Sequence, residues 1–193
     1  YTSNIEIDGN LVEGAGIRKK GFLGSIFSTA PSVKIETDKY PQNSNFNQTK
    51  SITLNNNSQN ETRIWTSLAL KIYELANYPA PLCNLANVTI NSEPFGIYSH
   101  VETMDEKFLQ REFGNSNGHL YEGQVIDFHK DWLPRWDAKT ASTNEVGNPI
   151  KAICEDLELP DDKLLSAQDQ HLNIDNFITF WALEALLASS DGY

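Results

Sequence analysis

A lysine in the middle of an alternating segment is the first residue whose type and position suggest chemistry. Lys34 lies between Val33 and Ile35 in residues 32–37, where polar and apolar residues alternate as in a β-strand. A lysine on the inner face of a small sheet is unusual unless an anionic group pairs with it. We therefore interpret Lys34 as a candidate anion-binding residue. The alternative is that this face of the strand is open to solvent.

Two further basic residues lie on the preceding predicted strand, residues 11–20. Arg18 and Lys20 are two positions apart and therefore share one face of that strand. A loop rich in Gly, Ser and Thr follows them over residues 21–31. The pattern fits additional contacts to an anion, and it equally fits a solvated basic edge of the sheet.

Carboxylates at two positions are also candidates for chemistry. Asp191 directly follows the apolar segment 177–188, so it is either a functional group in the loop after a helix or the residue that ends that helix. Glu102 is the one acid in residues 100–104. The cysteines and histidines form no CxxC, HxH or HExxH spacing, so a thiolate or imidazole metal site has no support.

The elements that must position these side chains follow an α+β order. The predicted strands cover residues 4–8, 11–20, 32–37, 50–54, 87–91, 95–101 and 119–124, and the predicted helices cover residues 62–77, 105–113, 149–157, 161–167 and 177–188. Asp8-Gly9-Asn10 and Ser92-Glu93-Pro94 are the predicted hairpin turns. Either Asn173 or Asp175 caps the last helix, and polar residues 55–61 offer caps for the first.

The composition argues against some classes of partner. The 193 residues contain 15 Lys and Arg against 26 Asp and Glu, a net charge of −11. Duplex recognition needs a basic surface, so nucleic acid is not expected as a partner. The longest apolar segment, 177–188, is too short and too polar to cross a bilayer. The chain opens at Tyr1 and stops just after a helix, so we expect a processed piece of a longer protein.

Secretion receives only weak support from the sequence. Cys83 and Cys154 are either two small buried residues or, in an oxidising compartment, a disulfide. Sequons for N-glycosylation begin at four asparagines, but a chain this rich in Asn, Ser and Thr contains about three by chance. The four are Asn47, Asn56, Asn60 and Asn87.

Four stretches spread over nearly the whole chain carry a family resemblance. They are Gly-Ile-Arg-Lys-Lys-Gly at 16–21 with Pro-Ser-Val-Lys-Ile at 31–35; Leu-Asn-Asn-Asn at 54–57 with Tyr-Pro-Ala-Pro at 78–81; Val-Thr-Ile-Asn-Ser-Glu-Pro-Phe-Gly-Ile-Tyr at 88–98 with Val-Glu-Thr-Met-Asp-Glu-Lys-Phe-Leu at 101–109; and Ala-Leu-Leu-Ala-Ser-Ser-Asp-Gly-Tyr at 185–193. In this order and spacing they resemble the CotH (spore coat protein H) kinase family. Its members are secreted or surface-associated atypical kinases, and some fungal members are described as invasins. The third stretch is the most specific.

The resemblance implies a protein-kinase-like fold. Residues 1–104 would form a sheet-rich N-lobe with one helix, and residues 105–193 would begin a mainly helical C-lobe that is incomplete at its end. It also implies an ATP-dependent and Mg²⁺-requiring enzyme that phosphorylates Ser or Thr of a secreted or coat protein. The location implied is outside the cell or on the cell or spore surface.

The same resemblance assigns roles to the residues of the first half of the chain. Lys34 would contact the phosphates of ATP, and Arg18 and Lys20 would approach them. Met104 would pack on the adenine ring, or simply in the core. Glu102 would bind a ribose hydroxyl or pair with Lys34.

The last assigned residue is Asp191, which the resemblance makes the catalytic base and a candidate Mg²⁺ ligand. An Asn and an Asp that complete the metal site in this family would follow Tyr193. The 193-residue chain on its own is therefore expected to be inactive.

One departure from the kinase pattern leaves the activity open. The helix after the third strand usually carries a Glu that pairs with the lysine, but residues 63–67 read Arg-Ile-Trp-Thr-Ser. Either another acid such as Glu102 takes its place, or the activity is altered or lost. The alternative function is a CotH-like surface adhesin or invasin that binds a host receptor without catalysis. The aromatic segment 127–136 would then be its contact surface, or else it packs between the lobes.

Overall fold

The computed structural model describes residues 1–21, 25–40, 49–58, 61–140 and 148–189. The chain divides into two compact units, Tyr1–Met104 and Asp105–Tyr193. The described part of the first contains an antiparallel sheet and one α-helix, and the described part of the second is mainly helical. The architecture is therefore mixed, with strands concentrated in the first unit and helices in the second.

Six strands form the sheet of the first unit, and every neighbouring pair is antiparallel. They are β1 (Thr2–Ile7), β2 (Asn10–Lys20), β3 (Ser32–Glu36), β4 (Ser51–Asn55), β5 (Cys83–Ile90) and β6 (Glu93–Val101), in the order β1-β2-β3-β4-β6-β5. One face carries the core, formed by Val12, Ala15, Val33, Ile35, Ile52, Leu54 and Tyr98. The strict alternation of apolar residues in β3 and β4 explains why the predictions for these strands are confirmed.

The two hairpin turns of this sheet both use residues with positive φ, as two-residue turns of twisted hairpins require. Asp8 and Gly9 connect β1 to β2 with φ of 49° and 80°, which confirms that predicted turn. Asn91 and Ser92 connect β5 to β6 with φ of 52° and 68°. The prediction of a turn at Ser92-Glu93-Pro94 was wrong by about one residue. Glu93 and Pro94 already belong to β6, because proline is accepted at the start of a strand and beside a bulge.

The helix of the first unit, α1 (Trp65–Leu75), is shorter than the predicted 62–77 and lies against β5. Arg63 has φ of 58°, which breaks the helical path just before it, and Ile64 at the N-cap makes no side-chain cap. The proposed caps among residues 55–61 were therefore wrong. Tyr73 is buried, whereas Leu68 on the predicted apolar face is 48% exposed.

The described part of the second unit contains four α-helices, a 3-10 helix and a two-stranded ladder. They are α2 (Glu106–Phe113), β7 (Tyr121–Glu122), the 3-10 helix Lys130–Arg135, β8 (Asp137–Ala138), α3 (Pro149–Asp156), α4 (Asp161–His171) and α5 (Ile174–Leu187). The side chain of Asp105 caps α2 by accepting hydrogen bonds from the backbone of Lys107 and Phe108, at 2.8 and 3.3 Å. This confirms the predicted start of that helix.

Two boundaries of the second unit differ from the sequence-based expectation for local reasons. Helix α4 runs on to His171, whose Nδ1 lies 2.6 Å from a carboxylate oxygen of Asp156 and joins α4 to α3. Helix α5 begins three residues earlier than predicted, because Asn173 rather than Asp175 is the cap and accepts a hydrogen bond from Asn176. Within the described ranges, no helix has the length and apolar composition to cross a membrane.

Candidate functional site

Lys34 lies in a row of residues that crosses the first unit's sheet. It pairs directly with Arg18 on β2 and with Thr53 on β4, and Thr53 in turn pairs with Val101 on β6. Residues directly opposite one another in an antiparallel sheet share a face, with Cβ atoms about 5 Å apart. The side chains of Arg18, Lys34 and Thr53 therefore stand side by side.

This row lies on the face of the sheet opposite the core. Val33 and Ile35, the neighbours of Lys34 in β3, are buried, so the lysine points to the other side by the two-residue period of a strand. Lys34 is half-buried and Arg18 is exposed. Two cationic side chains thus project from neighbouring positions on a partly covered surface, where an anion would be attracted to both.

The carboxylates that could neutralise Lys34 are engaged elsewhere among the described residues. Glu36, two positions along the same face, pairs with Lys39 at 3.2 Å. Glu74, near the end of α1, pairs with Lys71 at 2.6 Å. In the described part of the chain the Lys34 ammonium has no ion pair.

Glu102, the acid proposed from the sequence as an alternative partner of Lys34, instead joins the ends of two segments. One of its carboxylate oxygens accepts a hydrogen bond from the Leu82 amide at 2.9 Å, and its own amide donates to the Leu82 carbonyl at 2.8 Å. The carboxylate is therefore held next to the start of β5. Among the described residues, Lys34 forms no ion pair with Glu102.

A buried asparagine fixes the start of β3, two residues before the lysine. Asn56 is 5% exposed, and its Nδ2 donates to the Ala30 carbonyl at 2.7 Å. Its Oδ1 accepts a hydrogen bond from the Ser32 hydroxyl at 3.1 Å, and the backbone N–H of Asn56 donates to that hydroxyl at 3.0 Å. These bonds tie the end of β4 to the start of β3 and so set the register that carries Lys34.

The next asparagine connects the sheet to α1. The Oδ1 of Asn57 accepts hydrogen bonds from the Thr66 hydroxyl at 3.3 Å and from the Ser99 hydroxyl at 3.1 Å. Thr66 belongs to the first turn of α1, and Ser99 is a fully buried residue of β6. Sequence reasoning missed this structural role because it assigned residues 55–61 to a capping turn. The run of three asparagines directly after a strand was the available signal.

The other predicted residues are placed as follows. Lys20 is exposed and pairs with Ser32, one step along the same face as Arg18. Met104, at the end of the first unit, is 54% exposed, so the alternative of core packing is wrong. Asp191 lies outside the described residues.

The aromatic segment 127–136 packs within its own unit. The rings of Phe128 and Trp136 lie 5.0 Å apart, and the Arg135 guanidinium lies 5.2 Å from the ring centre of Trp132. The segment also contacts α3, and Lys130 pairs with Glu158 at 2.9 Å. These contacts account for the aromatic residues as packing, and they give the adhesin interpretation no particular support.

Neither cysteine has the character of an activated nucleophile. Both are free thiols. Burial raises the pKa of the Cys83 thiol, more than the neighbouring Ser99 and Ser67 hydroxyls lower it. Burial also raises the pKa of Cys154. Both thiols therefore stay protonated near neutral pH, where a thiolate would be needed for attack.

The glycosylation sequons differ in accessibility. The amide nitrogen of Asn56 is buried and bonded to Ala30, so a folded chain cannot carry a glycan there. Asn87 is exposed on β5. Asn47 and Asn60 lie outside the described residues.

A comparison with models of protein families identifies a match. A family model described as CotH kinase protein matches residues 17–193, which include Arg18, Lys34 and Asp191. A search of curated proteins found no match to the chain. The match covers far more than half of the chain and agrees with the resemblance carried by its four stretches. The chain therefore belongs to the CotH kinase protein family.

Proposed function

We propose that this chain is part of an atypical protein kinase that transfers the γ-phosphate of ATP to Ser or Thr of a secreted or coat protein. The observation that carries the proposal is the placement of Lys34. It is a half-buried cation in the middle of β3, directly opposite Arg18, and it has no acidic partner in the described part of the chain. Family membership supports the same assignment.

The reaction requires an acceptor, a phosphate-binding group and a base. The substrate hydroxyl oxygen forms a bond to the γ-phosphorus, and the bond from that phosphorus to the bridging oxygen breaks. ADP leaves with the electron pair of the broken bond, and the hydroxyl proton goes to the Asp191 carboxylate. Lys34 and Arg18 offset the negative charge of the phosphates throughout.

The residues of the first unit suit the phosphates better than a metal ion. Lysine and arginine are the side chains that bind phosphate oxygens in proteins. Among the described residues there is no group of three His, Cys, Asp or Glu that could hold a metal ion. We assign the Mg²⁺ contact to Asp191, outside the described residues, and the ion would neutralise charge on the β- and γ-phosphates.

The nucleoside would be bound by the end of β6 and the residues after it. Met104 presents an exposed thioether side chain, which can pack on the face of an adenine ring. The Glu102 carboxylate, oriented by the Leu82 amide, would accept a ribose hydroxyl. Both assignments depend on the phosphate site and would fail with it.

The charge distribution suggests the class of protein substrate. Residues 1–104 carry eight Lys and Arg against nine Asp and Glu, whereas residues 105–193 carry seven against 17. Nearly all the net negative charge therefore belongs to the second unit. A basic, Ser- and Thr-rich substrate would be attracted to it, and a secreted or surface location fits a coat protein as substrate.

Nucleotide-dependent stabilisation tests the proposal. ATP with Mg²⁺ should raise the melting temperature of the protein, because a ligand that binds only the folded state stabilises it. Lys34→Met should abolish the rise. The matched control is Lys19→Met, which removes the same charge from an exposed position on the other face of the sheet. Absence of any stabilisation by ATP, with or without Mg²⁺, would contradict the proposal.

A further inference from the structure

We propose that Arg18 and Lys34 form a single cross-strand clamp that grips one polyphosphate with both cations. In protein kinases the lysine of the third strand pairs with a glutamate of the following helix, whereas the strand partner of Lys34 here is Arg18. The clamp rests on the proposed function, because it specifies how the phosphates of that site are held. In this clamp Arg18 contributes about as much to the affinity for phosphate as Lys34 does.

The strand register brings the two cations together. Arg18 and Lys34 are direct partners across β2 and β3, and Ile17 and Lys19 on either side pair with Ile35 and Val33. Arg18 therefore shares its face with Lys34, and a slip of one residue would turn it to the core face. Thr53, the partner of Lys34 on β4, adds a hydroxyl to the same row.

The ligand-free pair is electrostatically unfavourable, which favours an anion between its members. Like charges directly opposite each other destabilise a sheet. Glu36, the acid on the same face of β3, is paired with Lys39 at 3.2 Å. An anion with several oxygens would relieve the repulsion at both cations, and the arginine fork can bind two of these oxygens at once.

The α1 helix supplies no competing acid to this row. Its first turn contains no acidic residue, and Glu74 near its end is paired with Lys71. The register of β2, β3 and β4 thus sets the face of the sheet from which the lysine side chain projects. A carboxylate on α1 is not needed to place it.

The test measures the affinity of inorganic tripolyphosphate for the protein and for the variants Arg18→Gln, Lys34→Gln and Lys19→Gln. Both clamp variants should weaken binding about tenfold or more, the usual cost of a lost charge-assisted hydrogen bond. Lys19→Gln should stay within about twofold, as expected for a screened charge on the other face. Without ligand, Arg18→Gln should melt at a higher temperature than Lys19→Gln, because it removes the like-charge contact.

Two outcomes would overturn the clamp. In the first, Arg18→Gln binds tripolyphosphate as wild type does while Lys34→Gln does not. Lys34 then acts alone, and the proposed kinase function still stands. In the second, tripolyphosphate does not bind although ATP with Mg²⁺ stabilises the protein, so the phosphates are held by other groups. Failure of ATP itself to bind would instead remove the proposed function.

Discussion

Lys34 is the residue on which the proposed phosphate site depends, and Arg18 and Thr53 lie opposite it on the two neighbouring strands. Its position between two buried aliphatic residues indicates the face on which its side chain stands. Its partner Arg18 could not be identified in the same way, because pairing depends on strand register. The hydrogen-bond partner of the Glu102 carboxylate could not be predicted either, since the Leu82 amide that binds it is 20 residues away in the sequence.

The half-buried His100 on β6 predicts a pH dependence of stability. Burial lowers the pKa of this imidazole below its usual value of about 6.5. The unfolded chain therefore binds a proton more readily than the folded chain, and the contribution to stability is present above pH 6.5 and lost as the pH falls through the folded-state pKa. Between pH 7.5 and 5.5, the free energy of unfolding should fall less in His100→Gln than in wild type. His119→Gln, at an exposed position, is the control, and parallel pH profiles for all three proteins would contradict the prediction.

At the scale of elements, polar residues between β4 and α1 explain why the start of this helix was misplaced. Residues 55–61 have the composition of a helix cap, and the helix was expected to start at residue 62. In the structure Asn56 and Asn57 bond to β3, β6 and Thr66, and α1 starts only at Trp65. Asn56 and Asn57, which the local pattern assigned to helix capping, therefore make tertiary hydrogen bonds instead.

Asn56→Ala should destabilise the first unit by about 2 to 3 kcal/mol, because it leaves the Ala30 carbonyl and the Ser32 hydroxyl without this buried partner. Urea denaturation measures the change. Asn87→Ala, on the exposed surface of β5, should change stability by less than about 0.5 kcal/mol. Equal stabilities of the two variants would show that the Asn56 bonds do not hold β3 in place.

The elements with strong local signals were predicted well, and those set by tertiary contacts were not. Strands β3 and β4 have clear two-residue alternation of apolar residues, and α2 has its Asp105 cap, so their predictions are confirmed. The exposed face of α1 was not foreseen, since periodicity finds an apolar stripe without showing what covers it.

For the whole molecule, the acidic second unit predicts a salt-dependent preference for basic substrates. Raising the salt from about 0.1 M to about 1 M shortens the screening length from about 10 Å to about 3 Å. The kcat/KM of the intact protein encoded by the gene for a Lys-rich Ser peptide should therefore fall about tenfold. A peptide with Gln in place of each Lys should change little, and it controls for salt effects on ATP. An equal response of both peptides would contradict electrostatic attraction.

Phosphate transfer tests the assigned roles of Lys34 and Asp191 most directly. The intact protein encoded by the gene is incubated with Mg²⁺ and ATP labelled in the γ-phosphate, and label on a Ser- and Thr-rich protein is measured. We expect Mg²⁺-dependent transfer that falls about 100-fold or more in Lys34→Met and in Asp191→Asn, but not in Lys19→Met. Transfer that proceeds at the wild-type rate in both Lys34→Met and Asp191→Asn would contradict these roles.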